Sequence, residues 1–304
     1  MATFLAFSLP LATLTLSLLL LFHSSAATPR KLIQVQQQPV ILKYHKGPLL
    51  TGNITVNFLW YGRFSATQRS IVADFLLSLS AASPPPPPSA ASWWRTTALY
   101  GGSFPRLSLG RQLLDDHLSL GKSLSPSHLS LLASKPGTSP ADINVVLTSA
   151  DVAVDGFCSS RCGTHGPLPG SAGFIWTGDS EVQCPGQCAW PFHQPLYGPQ
   201  TPPLVAPNGD VGMDGVIINL ATLLAGLVTN PNGNGYFLGP ADAPLEAVSA
   251  CTGIFGSGAY PGYPGLVLVD KTSGASYNAR GLDGRKYLLP AMWDPKTSQC
   301  STLV

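Results

Sequence analysis

Residues 53–79 read NITVNFLWYGRFSATQRSIVADFLLSL and predict a strand followed by a helix. The segment 53–61 is β-branched and aromatic, which favours a strand that ends at Gly62. Ser65 and Gln68 have the spacing of a capping box, in which each side chain binds the other residue's backbone N–H at a helix start. Helical spacing then predicts one apolar face against the strand, formed by Ile71, Val72, Phe75, Leu76 and Leu79.

Two further apolar segments set the fold class. The segment 142–149, DINVVLTS, is almost continuously apolar, which is typical of a strand in the middle of a sheet. Asp214 is the expected cap of a helix that runs to about Val228 and is apolar on nearly every side, so it should be buried, and it is too short to span a membrane. The pattern predicts an α/β or α+β fold, a single mixed-sheet domain flanked by helices.

Weaker patterns predict the remaining elements. Strands are expected over 173–177, 266–270 and 286–289. A short helix or turn starts at Trp93, and further helical pieces cover 111–118 and 127–132. Ser83 and the five prolines that follow it predict a proline-rich surface loop over 83–89, which is either a polyproline II spacer or a docking segment.

The composition excludes several classes of protein. Of 304 residues, 44% are apolar and only 11% are charged, whereas a typical domain has about 25% charged residues. Disorder requires the opposite balance, and long solvated helices need many glutamates, of which there are only two, Glu181 and Glu246. A net charge of +2 gives no electrostatic footprint for nucleic acid.

The N-terminal segment has the pattern of a secretory signal peptide. An apolar run over 4–22 is followed by small residues that fit cleavage after Ala26 or Ala27. We therefore expect a signal peptide over 1–26 and a single secreted domain over 27–304. An uncleaved signal anchor is the alternative, because no Lys or Arg precedes the run. The sequence has no second stretch of about 18 uncharged apolar residues, so we expect no membrane span after cleavage.

The cysteines and one asparagine fit an extracellular chain. An even number of cysteines behind a signal peptide predicts three disulfides, although the C-x3-C spacing of the first four also suits a zinc site. A bond between the last two would tie down the C-terminal segment. Asn53 begins the one N-x-[ST] sequon and is either glycosylated or an unmodified residue at a strand start. The cysteines are Cys158, Cys162, Cys184, Cys188, Cys251 and Cys300.

Common catalytic motifs are missing from the sequence. No H-E-x-x-H or G-x-S-x-G is present, and neither glutamate adjoins a histidine. Asp115 with Asp116, and Asp179 with Glu181, are the nearest carboxylate pairs, but neighbouring acids are more often solvated or capping groups. We expect no catalytic residue, no metal and no cofactor. The histidines beyond the signal peptide are His45, His117, His128, His165 and His193.

Six segments together resemble the plant EXORDIUM, or phosphate-induced, protein family. They read YHKGPLLTGNITVNFLWYG (44–62), WWRTTALY (93–100), VVLTSADVAVDGFCSSRCGTHG (145–166), FIWTGDSEVQCPGQCAWPF (174–192), DGVIINLATLLAGLVTNPNGNGYF (214–237) and NARGLDGRKYLLPAMWDPKTSQCSTLV (278–304). The five-proline run is outside this pattern. The resemblance implies a secreted protein of the apoplast or cell wall that is linked to growth and cell expansion, in a family with brassinosteroid-responsive members. It carries over no catalytic residue and no ligand.

A second, shorter resemblance concerns the predicted buried helix. Residues 222–231, TLLAGLVTNP, are similar to a helix of zincin-like metalloproteins that reads HELAEAVTDP. In that alignment Thr222 replaces a metal-binding histidine, Leu223 the general-base glutamate and Gly226 a second acid. Leu223 cannot take a proton, so the resemblance implies a zincin-like scaffold without its metal site. The alternative is a buried apolar helix that Pro231 ends.

These observations favour a non-catalytic protein that acts by binding a partner at the cell wall or cell surface in brassinosteroid- or nutrient-linked growth control. The first alternative is a hydrolase of wall polysaccharide or peptide that uses dispersed acids or histidines. It would require two carboxylates about 5–9.5 Å apart in one cleft or several histidines around one pocket. The second alternative is a structural component of the wall.

Overall fold

The computed structural model describes residues 40–159, 161–195, 197–198, 201–240 and 243–304. The predicted signal peptide, residues 1–26, lies outside these ranges. Residues 40–304 form one compact unit.

Most strands outside the main sheet are only two residues long. In chain order they are β1 (Lys43–Tyr44), β2 (Asn53–Tyr61), β3 (Arg106–Asp115), β4 (Ser123–Leu124), β5 (Asp142–Thr148), β6 (Ala153–Val154), β7 (Gly163–Gly166), β8 (Gly173–Gly178), β9 (Tyr236–Phe237), β10 (Leu268–Val269), β11 (Ser276–Tyr277), β12 (Ala279–Arg280), β13 (Lys286–Tyr287), β14 (Met292–Asp294) and β15 (Gln299–Ser301). The helices are α1 (Ala66–Leu79), α2 (Ala90–Arg95), α3 (Ala98–Gly101), α4 (Pro126–Ala133), α5 (Pro185–Cys188) and α6 (Val211–Thr229), with 3-10 turns at Ser249–Cys251 and Leu282–Gly284.

The main sheet has the strand order β3-β2-β5-β8-β7. The first four strands are parallel, and β7 pairs with β8 in the antiparallel direction. Strand β5 lies between β2 and β8, as its continuously apolar sequence predicts. The predicted mixed α/β fold class is thereby confirmed.

The helix α1 begins where the capping-box pattern predicts. The Ser65 side chain accepts a hydrogen bond from the Gln68 backbone N–H at 3.1 Å, and the Gln68 side chain accepts one from the Ser65 N–H at 2.9 Å. The apolar face of α1, including Ile71 and Phe75, is buried. Strand β2 and helix α1 thus form the strand–helix unit that the first quoted segment predicts.

The sheet is covered on both faces. One face carries Val56, Phe58 and Trp60 of β2, which pack in the larger core together with α1, α2 and α6. The other face carries Leu59 and Tyr61, which pack with α4 and the β4–β6 region. Residues alternate between faces along β2 because successive side chains of a strand point in opposite directions.

Two predicted elements differ from the structure. The helix predicted over 111–118 is wrong, because β3 continues to Asp115 as an edge strand. Helix α6 begins at Val211, three residues before the predicted cap, and the cap is Asp210, whose side chain accepts a bond from the Met213 N–H at 2.9 Å. Asp214 instead lies in the first turn, buried.

Helix α6 is also longer than predicted. Within the described residues it is the one helix that is long and apolar enough to cross a membrane, so the prediction that it is too short is wrong. In the most apolar stretch of this helix 78% is buried inside the protein, which is typical of a core helix.

The six predicted disulfide cysteines form three bonds, which excludes the four-thiolate zinc alternative. The two C-x3-C pairs join as Cys158–Cys184 and Cys162–Cys188. Cys251–Cys300 links the 3-10 turn to β15, across 49 residues of sequence. In the predicted proline-rich loop, Ser83, Pro86 and Pro87 are exposed, whereas Ser89 is buried and caps α2.

Candidate functional site

The three zincin-like positions lie on α6 and take part in packing. The Thr222 hydroxyl donates to the Ile218 carbonyl oxygen at 2.8 Å, a bond within the helix. Leu223 lies against strand β7, since a Cβ added to Gly163 would come within 2.6 Å of its Cδ1 atom. Neither side chain is placed as a metal ligand. The kinship with zincins itself stays a prediction.

Gly226 provides space for a hydrogen-bonded pair of side chains. A Cβ at this position would lie 2.5 Å from Glu246 Oε2 and 2.8 Å from His165 Nε2. These two side-chain atoms are 2.8 Å apart, and the side chains are only 12% and 11% exposed. The sequence analysis places neither glutamate beside a histidine, but the fold brings Glu246 to His165 across 81 residues.

The pair belongs to a longer hydrogen-bonded chain. Asn230 Nδ2 donates to Glu246 Oε1 at 2.7 Å, and Asn230 Oδ1 accepts from the Gly235 N–H at 2.7 Å. At the other end, His165 Nδ1 is buried and has no hydrogen-bond partner among the described residues. The chain joins α6, β7 and the 230–246 segment. No local sequence pattern predicts these hydrogen bonds, because the residues that form them are far apart in the sequence.

The predicted carboxylate pairs have structural contacts. Asp115 lies 3.7 Å from Lys135 Nζ, while its neighbour Asp116 is exposed. Asp179 is buried directly after β8 and accepts the Glu181 N–H at 3.0 Å, whereas the Glu181 side chain is exposed. Each pair therefore has one member in the solvent.

Burial perturbs two acids near the start of α6. Desolvation raises the pKa of Asp179 to about 6, although the hydrogen bond from the Glu181 N–H opposes the shift. Desolvation also raises the pKa of Asp214 to about 7, against two hydrogen bonds from Asn208. The negative charge of Asp210 adds to both shifts. In the described ranges, no group of three His, Cys, Asp or Glu side chains is placed to hold a metal ion.

A polar cleft of about 580 Å³ opens beside strands β2, β3 and β5. Its volume is within the ~300–1,000 Å³ range of ligand pockets. We call it the Asn57 cleft, after the residue at its floor. Its lining is formed by Thr55, Asn57, Gly110, Arg111, Lys135, Pro136, Gly137, Thr138, Ser139 and Asp142.

The floor of the Asn57 cleft is built by a β-bulge. Gly110 and Arg111 of β3 together face Asn57 of β2, where the strand register shifts. Asn57 Oδ1 accepts from the Arg111 N–H at 2.8 Å, and Asn57 Nδ2 donates to Asn144 Oδ1 at 3.1 Å. Asn144 in turn donates to the Gly137 carbonyl oxygen at 2.7 Å. The chain of bonds fixes both walls of the cleft to the sheet.

Two glycines allow the walls to approach this floor. A Cβ at Gly110 would lie 2.2 Å from Asn57 Oδ1, and one at Gly137 would lie 2.4 Å from Asn57 Nδ2. Any larger residue at either position would displace the buried amide. No sequence pattern predicts this site, because part of β3 has the spacing of a helix and the two walls are separated in the sequence.

The sequence model of the phosphate-induced protein 1 conserved region matches residues 42–303. The chain belongs to this family. The match includes the Asn57 cleft, the His165–Glu246 pair and all three disulfides. The family resemblance of the six quoted segments is thereby confirmed.

Individual members of the phosphate-induced protein 1 family are similar over most of their length. Protein EXORDIUM-like 2 of Arabidopsis thaliana is 60% identical, over 89% of this chain and 92% of the relative. Protein PHOSPHATE-INDUCED 1 of Nicotiana tabacum is 57% identical, over 96% and 98%. Protein EXORDIUM of Arabidopsis thaliana is 54% identical, over 89% and 92%. No solved structure matches the chain.

Proposed function

We propose that this protein is secreted to the apoplast or cell wall and regulates growth by binding a wall or cell-surface partner, without catalysis. The growth role, in cell expansion and in brassinosteroid- or nutrient-linked control, is inferred from the family resemblance. Secretion is inferred from the signal-peptide pattern and is consistent with three disulfides.

The observation that carries the binding proposal is the Asn57 cleft. Asn57 at its floor is 3% exposed, and its side chain donates a hydrogen bond to Asn144, which is 0% exposed. A floor held in this way needs no rearrangement to accept a ligand, and such preorganisation lowers the entropy cost of binding. The cleft is therefore suited to recognition of a polar partner.

The hydrolase alternative receives less support from the same residues. Within the lining of the Asn57 cleft, Asp142 is the single carboxylate, whereas glycoside hydrolysis uses a pair. The His165–Glu246 pair lies apart from this lining and is mostly buried. On α6, Leu223 occupies the position at which a zincin-like hydrolase would need its base.

The proposal is tested by filling the cleft from an exposed position. Thr138 is exposed and lines the cleft, so Thr138→Trp should occupy the opening and leave the buried floor intact. Ser130→Trp is the matched control, because Ser130 is exposed on α4 and does not line the cleft. The mature chains, residues 27–304, are used to capture components of plant wall extract. The full-length chains, which keep the signal peptide, are expressed to restore growth in plants that lack the gene.

We expect wild type and Ser130→Trp to retain the same wall component and to restore growth. Thr138→Trp should retain at least about tenfold less of that wall component, which corresponds to a loss of about 1.4 kcal/mol of binding free energy. It should also fail to restore growth. If Thr138→Trp matches wild type in both measurements, or if wild type captures nothing above a mock column, the proposal is wrong. A loss in Ser130→Trp as well would also contradict it.

A further inference from the structure

We infer that the Asn57 cleft binds a carboxylate-bearing, hydroxyl-rich small molecule or polymer unit of the sugar acid class, with Arg111 as the residue that pairs with the carboxylate. This inference rests on the proposed binding function and names the ligand class for it. It follows from which polar groups of the lining are already paired and which are free.

Arg111 supplies a free cation in the lining of the cleft. Its backbone N–H is bound by Asn57 in the bulge, which fixes the start of the side chain. Its guanidinium group is exposed and has no hydrogen-bond or salt-bridge partner within the described parts of the chain. A guanidinium presents its N–H donors in a planar fork that matches a carboxylate in two parallel bonds.

Lys135 adds weaker attraction on the opposite wall. Its Nζ lies 3.7 Å from Asp115 Oδ2 and donates to the Ser119 hydroxyl at 3.2 Å. Asp115 therefore partly neutralises the Lys135 ammonium group, and Arg111 is the main partner for the carboxylate of a ligand. The lining residues comprise two cations and one carboxylate, Asp142, so their formal net charge of +1 favours a ligand with one negative charge.

The remaining polar groups favour hydroxyls on that ligand. Asp142 Oδ2 accepts the Ser139 N–H at 3.2 Å, while its Oδ1 atom accepts no hydrogen bond from the described residues. The hydroxyls of Thr55 and Thr138 also lack partners there and line the same cleft. A ligand hydroxyl can donate to a carboxylate and accept from a threonine, so sugar hydroxyls suit these groups.

Two other ligand types fit less well. A neutral sugar would leave the Arg111 guanidinium unpaired, and inorganic phosphate would bring its charge towards the Asp142 carboxylate. Phosphate would also leave most of the 580 Å³ unfilled. A molecule with one carboxylate and several hydroxyls uses Arg111, Asp142 and the threonine hydroxyls at the same time.

The test measures binding to the mature chain, residues 27–304, by calorimetry and by chemical shifts in NMR spectra. The probes are D-galacturonate, D-glucuronate, trigalacturonate, D-galactose and inorganic phosphate. Arg111→Gln removes the proposed carboxylate partner. Arg106→Gln is the matched control, because Arg106 is exposed on the same strand, outside the cleft lining.

We expect at least one uronate probe to bind about tenfold or more tightly than galactose and phosphate. Arg111→Gln should weaken that binding by about ten- to hundredfold, as expected for a charged hydrogen-bonded pair, and Arg106→Gln by less than about twofold. Binding of the monosaccharides assigns a free sugar acid as the ligand, and binding of trigalacturonate alone assigns a polysaccharide chain. Either result supports the class.

Three results would overturn the inference. They are no uronate binding up to about 10 mM, equal or tighter binding of galactose or phosphate, and unchanged uronate binding in Arg111→Gln. The proposed function has a separate outcome. If wall capture depends on Thr138 but no uronate binds, the ligand class is wrong and the binding function stands. If uronate binds but Thr138→Trp still restores growth, the ligand class is right and the proposed growth function of the cleft is wrong.

Discussion

His165 Nε2 lies 2.8 Å from Glu246 Oε2, directly beside the backbone of Gly226 in the buried helix α6. Glycine is a poor helix former, so its presence in the last turn of a core helix requires a reason. The reason here is space, because any side chain at Gly226 would collide with the hydrogen-bonded pair. In the zincin-like alignment this position holds an acid.

We expect Gly226→Ala to destabilise the protein, although alanine favours helices by about 1 kcal/mol over glycine. The added Cβ would lie 2.5 Å from Glu246 Oε2, so the pair must move. Overpacking of this kind costs about 1–3 kcal/mol, so after the helix gain of about 1 kcal/mol the net loss in unfolding free energy should be up to about 2 kcal/mol. Urea unfolding followed by tryptophan fluorescence measures it.

Gly101→Ala is the control for this change. A Cβ there meets first the end of the flexible Leu49 side chain, at 3.3 Å, so the effect should stay within about 0.5 kcal/mol. If Gly226→Ala is as stable as wild type, the His165–Glu246 pair does not occupy the space that the structure gives it.

The buried acid Asp179 predicts a pH dependence of stability. Burial raises the pKa of this carboxyl from its ordinary value of 3.8 to about 6 in the folded chain, so between these values the folded state holds a proton that the unfolded state has lost. The free energy of unfolding from this group therefore increases as the pH falls from about 6 to about 4. Asp214, with a pKa of about 7, contributes in the same direction over a wider interval.

Asp179→Asn should remove this contribution. The asparagine oxygen can still accept the Glu181 N–H, while the group no longer ionises. We expect the difference in unfolding free energy between pH 4 and pH 7.5 to shrink by about 2–3 kcal/mol, mostly through a gain at the higher pH. Denaturant unfolding at both pH values measures it. Glu181→Gln should reduce the difference only slightly, because the Glu181 charge is the smallest of the causes that raise the pKa of Asp179. An unchanged difference in Asp179→Asn would refute the assignment.

The success of sequence reasoning here depended on local patterns. Strand β2, helix α1 and the Ser65–Gln68 box lie within 27 consecutive residues, so their periodicity and capping are visible without the fold. Strand β3 was missed because the bulge at Gly110 and Arg111 interrupts its alternation. The segment that follows the bulge then has the spacing of a helix.

The candidate sites could not be predicted in the same way. The Asn57 cleft joins β2, β3 and the segment after α4, and its floor depends on a hydrogen bond between Asn57 and Asn144. Glu246 reaches His165 only because β7 and the chain after α6 converge. Single-residue types and spacings carry no information on such contacts when 80 or more residues separate the partners.

The disulfide Cys251–Cys300 should make a large contribution to stability. It closes a loop across 49 residues, and the loss of that constraint on the unfolded chain corresponds to about 4 kcal/mol. The double variant Cys251→Ser, Cys300→Ser should lose about 2–4 kcal/mol in urea unfolding. Ser301→Ala, an exposed neighbour in β15, should change stability by less than about 0.5 kcal/mol. A double variant as stable as wild type would show that the C-terminal segment does not need this bond.

A glycan on Asn53 is the remaining prediction that tests passage through the secretory route. Asn53 is exposed at the first position of β2, and Thr55 completes the sequon. The full chain expressed in plant cells should carry one N-glycan, seen as a mass decrease after treatment with a glycosidase that removes N-glycans. Asn53→Gln and Thr55→Ala should abolish the decrease, whereas Thr55→Ser keeps the sequon and should retain it. A secreted wild-type chain whose mass does not change on treatment would refute the modification, because the sequon would then be present and unused.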